Sequence, residues 1–398
     1  MPMAKPAILQ EQPDFSLVLG GPLFQLFRRG HLSGDTLELL HRRVILITAI
    51  AWVPLLLLSA FEGHALDGGI RIPFLYDIEA HIRFLVALPV LIFAELVVHQ
   101  RIRPTVLKFI ENGIVTSEEM PKFHAAISAT MRLRNSAGAE IALVIAVYTV
   151  GLWVWRSQVA LGAPSWYALP DGTQMHSTLA GYWYLFVSLP LFQFILLRWY
   201  LRFLLWFTFL WRVARVKLRL IPTHPDRAAG LGFLGRSTYA FAPILFAQGA
   251  LLGGLIASQI FFAAQSLMAF KLEIAGLVAF FIVIVLSPLM VFSPNLAQAK
   301  RQGLADFGTL ASRYAREFEE KWFHRAASAD DELLGSGDIQ SLADLGNSYS
   351  VVQEMRFVPF GWKDATRLGA ATVAPLLPLA LTIYSPDELL SYLIKVLF

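Results

Sequence analysis

Glu95 is the one carboxylate lying beyond the first turn of an apolar run long enough to cross a bilayer. A charge in hydrocarbon is costly enough to mark a functional candidate. It stands one helical turn before His99. Arg198 and Arg202, spaced i,i+4 and so on one helix face, follow a later apolar run, and Glu140 opens another. All four are expected at similar depth near one membrane boundary, where they would form a charged constriction or gate on a permeation path. Snorkelling and ordinary ion pairing would use the same residues. The uncharged stretch 203–211 after the arginine pair leaves the depth of that pair open.

A second constellation follows the alternating, strand-like stretch 216–220. His224, Arg227 and Arg236 gather at the expected N-terminus of a helix, where backbone N–H groups and cations favour an anion or a lipid phosphate. A tight turn with Asp226 capping that helix is the plainer reading. Gly230-Leu-Gly232-Phe-Leu-Gly235 has the letters of a dinucleotide fingerprint without its context. His224-Pro225-Asp226 separates it from the strand-like stretch, the following helix is a membrane span, and no acid lies about 20 residues on. The same tripeptide matches that of chaperone J-domains but leads into membrane rather than into a helical hairpin. Gly249 and Gly253, extended by Gly254 and Ser258, make a small-residue face for close packing on another helix, within the chain or between chains.

Several chemistries are excluded by what is missing. The chain has no cysteine, so disulfides, thiolate metal sites, iron–sulfur clusters and cysteine nucleophiles are ruled out. None of the nine histidines falls in a core span, which argues against bis-histidine haem, and the last span lacks the lysine of a retinal Schiff base. The P-loop, HExxH and GxSxG signatures do not occur. No cofactor, no metal and no enzymatic activity are therefore expected.

The elements that must position these groups are membrane helices. Of 398 residues, 56% are hydrophobic and only 16% charged, with a mean hydropathy of +0.56. About 20 apolar residues cross ~30 Å of hydrocarbon, and seven runs qualify: 44–61, 82–98, 137–155, 179–197, 237–264, 274–292 and 368–384. Prolines fall in six of them, at Pro54, Pro89, Pro190, Pro243, Pro288 and the pair Pro375 and Pro378, so most spans are expected to kink. With the N-terminus inside, all but five of the 33 Lys and Arg fall in inner segments, the exceptions being Arg71, Arg83, Arg156, Lys271 and Lys395. That asymmetry places the N-terminus in the cytoplasm and the C-terminus in the periplasm of a bacterial inner membrane. It also explains the net charge of +4 without invoking nucleic acid. Trp153, Trp155, Trp166, Tyr182 and Trp183 are expected in an outer aromatic belt, and Trp199, Trp206 and Trp211 toward the inner face.

The chain then divides into a cytoplasmic or interfacial segment 1–43, spans one to six over 44–292, a cytoplasmic helical insertion 293–367, and the seventh span with a C-terminal surface helix over 368–398. Residues 15–27 are apolar but interrupted by Gly20, Gly21 and Pro22, with no cleavage site after them, so no signal peptide is expected. A short interfacial helix is expected around 22–29, then a helix from Asp35 with Glu38 in capping-box spacing. In the insertion, Leu304, Phe307, Ala311, Tyr314, Phe318 and Trp322 form one helical seam, and Ile339, Leu342, Leu345, Tyr349, Val352 and Met355 a second. The two seams either close on one another as an antiparallel hairpin or face another subunit of a homo-oligomer.

Two segments, Thr223-His-Pro-Asp-Arg-Ala-Ala-Gly-Leu-Gly-Phe-Leu-Gly235 and Gly335-Ser-Gly-Asp-Ile-Gln-Ser-Leu-Ala-Asp-Leu-Gly-Asn-Ser348, with Val358-Pro-Phe360 after the second, resemble a family of uncharacterised polytopic bacterial inner-membrane proteins. The resemblance implies fold and location and no activity. The reading is an all-α integral membrane protein of about seven spans, a channel or transporter-like path for an ion or small solute. A non-transporting scaffold or sensor acting through the cytoplasmic helical pair is the first alternative, and a lipid-handling protein the second. Membrane lipids are the expected partners.

Overall fold

The computed structural model describes residues 15–22, 40–66, 70–154, 165–171, 174–324 and 337–382. The expected helix from Asp35, most of the expected helix over 22–29, and the C-terminal surface helix lie outside them.

The described residues are overwhelmingly helical. We number the helices α1 (Leu40–Phe61), α2 (Ile78–Glu111), α3 (Met120–Arg134), α4 (Ala137–Gly151, with a last turn at Leu152–Val154), α5 (Leu179–Val213), α6 (Phe233–Ala263), α7 (Leu267–His324), α8 (Gly337–Gln353) and α9 (Trp362–Thr382). By length and composition, six of these (α1, α2, α5, α6, α7 and α9) are able to cross a membrane, and α3 with α4, bent by 44° at their junction, would make a seventh. The all-α expectation needs one correction, a two-stranded antiparallel hairpin before α5. It pairs β1 (Ala168–Asp171) with β2 (Gln174–Ser177) in the register Ala168↔Ser177 to Asp171↔Gln174.

Several helices outrun their apolar sequence. α2 continues from Val98 to Glu111 and α5 from Leu197 to Val213, which at ~1.5 Å per residue makes each about 50 Å long. These extensions are ordered because they bury an aromatic core of their own. Phe109 of α2 packs against Phe123 of α3, Phe233 of α6 and Phe292 of α7 at centroid distances of 5.8, 5.2 and 6.2 Å, and Phe123 meets Phe209 of α5 at 6.1 Å. At the same end, α7 passes through a 3-10 segment at Ser287–Phe292 into the amphipathic stretch, and α8 folds back along it. Tyr314 donates to the Asp338 carbonyl at 3.1 Å, and Lys321 pairs with the Asp338 carboxylate at 2.7 Å. We call this the hairpin end. The α7 seam meets α8 of the same chain.

Proline acts mainly by changing the hydrogen-bond register. Pro89 has no N–H to offer the carbonyl four residues back, and the turn before it, Ile82–Ala87, widens to a π-helix in which the Leu88 N–H reaches the Arg83 carbonyl. Pro190 repeats the arrangement: Tyr184–Ser188 is π-helical and the Leu189 N–H bonds the Tyr184 carbonyl. Pro288, Pro375 and Pro378 lie in 3-10 segments and Pro243 stands two residues after one, whereas Pro54 leaves α1 continuous.

Residues 15–20 are not helical. Phe15, Leu17 and Val18 are fully buried, so this segment enters the bundle instead of lying on its surface, and the Phe15 ring lies 4.6 Å from that of Phe209, tilted by 44°. Trp166, Trp199 and Trp206, expected in aromatic belts, are core residues as well. Trp153, Tyr182 and Trp211 are exposed.

Candidate functional site

The four charged residues singled out in the sequence meet, and a fifth joins them. Glu95 receives hydrogen bonds from Arg43 of α1 and from Arg202 of α5, the latter at 2.6 Å, and Arg198 lies 3.9 Å from the same carboxylate. Arg198 also pairs with Glu140 of α4 at 3.4 Å. The side chains are 3% exposed at Arg43, 10% at Glu95 and Arg198, 12% at Glu140 and 5% at Arg202, so the whole network is desolvated. Its position follows from helix periodicity. Arg198 and Arg202 present successive turns of one α5 face, and Glu95 and Val98 lie on the buried face of α2. The Arg202 guanidinium also sits 4.4 Å above the Trp199 ring, whose indole N–H donates to the Leu91 carbonyl at 2.9 Å. The arginine is thereby held between a carboxylate and an aromatic face.

Arg43 was missed because, three residues into an apolar helix, it reads as an ordinary flanking cation. Its partner lies far away in the chain. A second buried network, outside the residues singled out in the sequence, joins α2 to α5. Arg83 bonds Glu79 and the Tyr184 hydroxyl, while Asp77 accepts from the Ala80 N–H at 3.0 Å and from the Trp166 indole at 2.8 Å. A signal was present: Arg83 precedes Pro89, and Tyr184 precedes Pro190, by the same interval. The two networks bracket the apolar stretches of α2 and α5, one in the first turns of both helices and one near their middle. Positions 83 and 95 are separated by ~18 Å at 1.5 Å per residue. Between them Leu88, Leu91 and Ile92 of α2 and Leu189, Phe192 and Ile195 of α5 are all buried.

Most of the other candidate positions meet partners within the chain. Asp226 places its own carboxylate among the backbone donors after His224, accepting from Ala228 at 2.8 Å, Gly230 at 3.1 Å and Gly232 at 2.8 Å, the last beginning the α6 helix. Positive φ at Arg227, Ala229 and Gly230 turns these N–H groups inward. Burial pushes the Asp226 carboxyl up, and the three N–H groups with nearby His224 outweigh it and hold it below the usual carboxylate range. His224 lies 2.9 Å from Asp226, Arg227 pairs at the surface with Glu354 at 2.8 Å, and Arg236 is exposed. The donors expected to face an external anion or lipid phosphate therefore face Asp226. Gly249 and Gly253 meet α9: a Cβ at Gly249 would fall 1.9 Å from the Thr372 carbonyl oxygen, and one at Gly253 would fall 3.4 Å from Leu376. Among the described residues no group of three or more His, Asp or Glu could hold a metal ion.

No protein-family model matches the chain, and searches of the curated proteins and of the solved structures return no match.

Proposed function

We propose that the chain is a multi-span protein of the bacterial inner membrane, N-terminus in the cytoplasm, that provides a gated path for an ion or small solute along α2 and α5. The observation that carries this reading is the pair of buried ionic networks, one near the start and one near the middle of these two helices, with an apolar layer between them. Desolvating this many charges costs several kcal/mol per ion, and well-packed apolar side chains would hold the same helices at least as firmly. Retaining them favours a role in which the contacts form and break. The π-helical turns at Arg83 and Tyr184 point the same way, since such turns recur at functional sites.

In this reading the hairpin end is cytoplasmic and the Glu95 network is the inner gate. Three arginines against two glutamates would give the inner mouth a positive potential that favours anions, with Glu95 and Glu140 opposing it. Purified protein in sealed, energised proteoliposomes should carry measurable flux. Arg198→Glu with Arg202→Glu should shift its preference toward cations without loss of folded protein. Lowered expression with unchanged selectivity would return these arginines to a structural role.

A second reading, a non-transporting scaffold or sensor, is favoured by Leu310, Phe323 and Ile339, which stand exposed on the projecting hairpin. Absence of any small-ion flux from the wild-type chain would select it.

A further inference from the structure

The segment 15–22 covers the Glu140 side of the inner network. Phe15 fills the space beside Trp206 and Phe209 of α5, and Leu17 and Val18 are buried with it. The turn is organised by itself: the Ser16 hydroxyl accepts from the Val18 and Leu19 N–H groups at 3.1 and 2.9 Å. Two polar contacts tie it to the helices. Ser16 Oγ lies 3.0 Å from His99 Nδ1, one turn beyond Glu95, and the Arg134 guanidinium donates to the Ser16 carbonyl at 2.5 Å. Gly20 and Gly21 then carry the chain past the network in left-handed conformations, φ 141° and 91°. A Cβ at Gly20 would fall 2.4 Å from Arg134, and one at Gly21 would fall 3.0 Å from Glu140 Oε1. Only glycine permits so close an approach.

These contacts share one property. A short non-helical turn, folded on its own serine and entering the bundle through a glycine pair, abuts the buried charge network at Glu140 from the hairpin end. We infer that residues 15–22 form a releasable plug on the inner gate, closing it when seated and opening it when withdrawn. This inference rests on the gate reading above.

The test compares chloride and potassium flux in phosphatidylethanolamine–phosphatidylglycerol vesicles for the full chain and for a chain lacking residues 1–22. Removing the plug should raise flux by about ten-fold or more, as expected when the competent state changes from minor to dominant. Equal, non-zero flux from the two chains overturns the plug and leaves the gate intact, whereas no flux from either overturns both. Should the shortened chain fail to fold, Phe15→Glu puts a charge against Trp206 and Phe209, and Leu17→Cys, in a chain without other cysteines, reports seating. A reactive thiol with raised flux supports the plug. A thiol that stays protected, or one that reacts without a change in flux, makes the segment a fixed part of the bundle and overturns the inference.

Discussion

Glu95→Ala removes the carboxylate on which Arg43, Arg198 and Arg202 converge. The magnitude follows from burial. Exposed pairs gain little, because water and salt screen them and two long side chains must be held still. Arg313 and Glu317 on α7 are of that kind, 73% and 61% exposed at 2.9 Å, and Glu317→Ala should cost at most ~1 kcal/mol. At Glu95 all four side chains are nine-tenths buried or more, so Arg43 and Arg202 lose their shared partner where water cannot replace it. Removing one member of such a pair costs ~3–5 kcal/mol. Glu95→Gln keeps the shape and one acceptor and should fall between. Replacing both sides, Glu95→Leu with Arg202→Met, should recover part of the loss, since the doubly apolar site leaves less charge stranded. Thermal unfolding in a mild detergent, with Glu317→Ala as the reference, measures all four. A Glu95→Ala melting curve coincident with that of Glu317→Ala would refute the desolvated network, and with it the gate.

Gly249→Ala should destabilise by ~1–3 kcal/mol, because its methyl group must displace the Thr372 backbone, while Gly276→Ala, with nothing within 4 Å, should be neutral in the same melts. For orientation, cysteines introduced singly at Gly68 and Gly172 should react with an impermeant thiol reagent in intact spheroplasts, and those at Ser117 and Ser336 should not; labelling at Ser336 from outside would invert the topology. Asp226 supplies a pH test of known sign. Its folded-state carboxyl is held low, so its stabilising contribution is complete above the unfolded value of about 4 and is lost as pH falls through the lower folded value. Asp226→Asn should lower stability at neutral pH and flatten acid unfolding in this range, as melts from pH 7 downward will show.

Apolar run length alone located the membrane-length helices, because hydrocarbon demands about 20 uncharged residues whatever the neighbours. It also isolated Glu95, Glu140, Arg198 and Arg202, since a charge beside or inside such a run stands out before anything is known of its partners. Helix periodicity put the two arginines on one face, and the Gly249–Gly253 spacing announced a close contact. What hydropathy could not see was where helices end. α2 and α5 continue past their apolar stretches because Phe109, Phe123, Phe209, Phe233 and Phe292, contributed by five helices, bury one another there. Pairing was equally hidden. Arg43 and Arg83 look like flanking cations until α1, α2 and α5 are side by side, and the tryptophans at 166, 199 and 206 look interfacial until those helices enclose them. The Asp226 turn reads from the sequence either as a cap or as an anion site, and only the folded backbone shows its donors turned onto the aspartate. A local pattern declares that a group is costly or capable. Only the tertiary structure supplies the partner that offsets the cost, because that partner is set by which helices pack together and not by spacing along the chain.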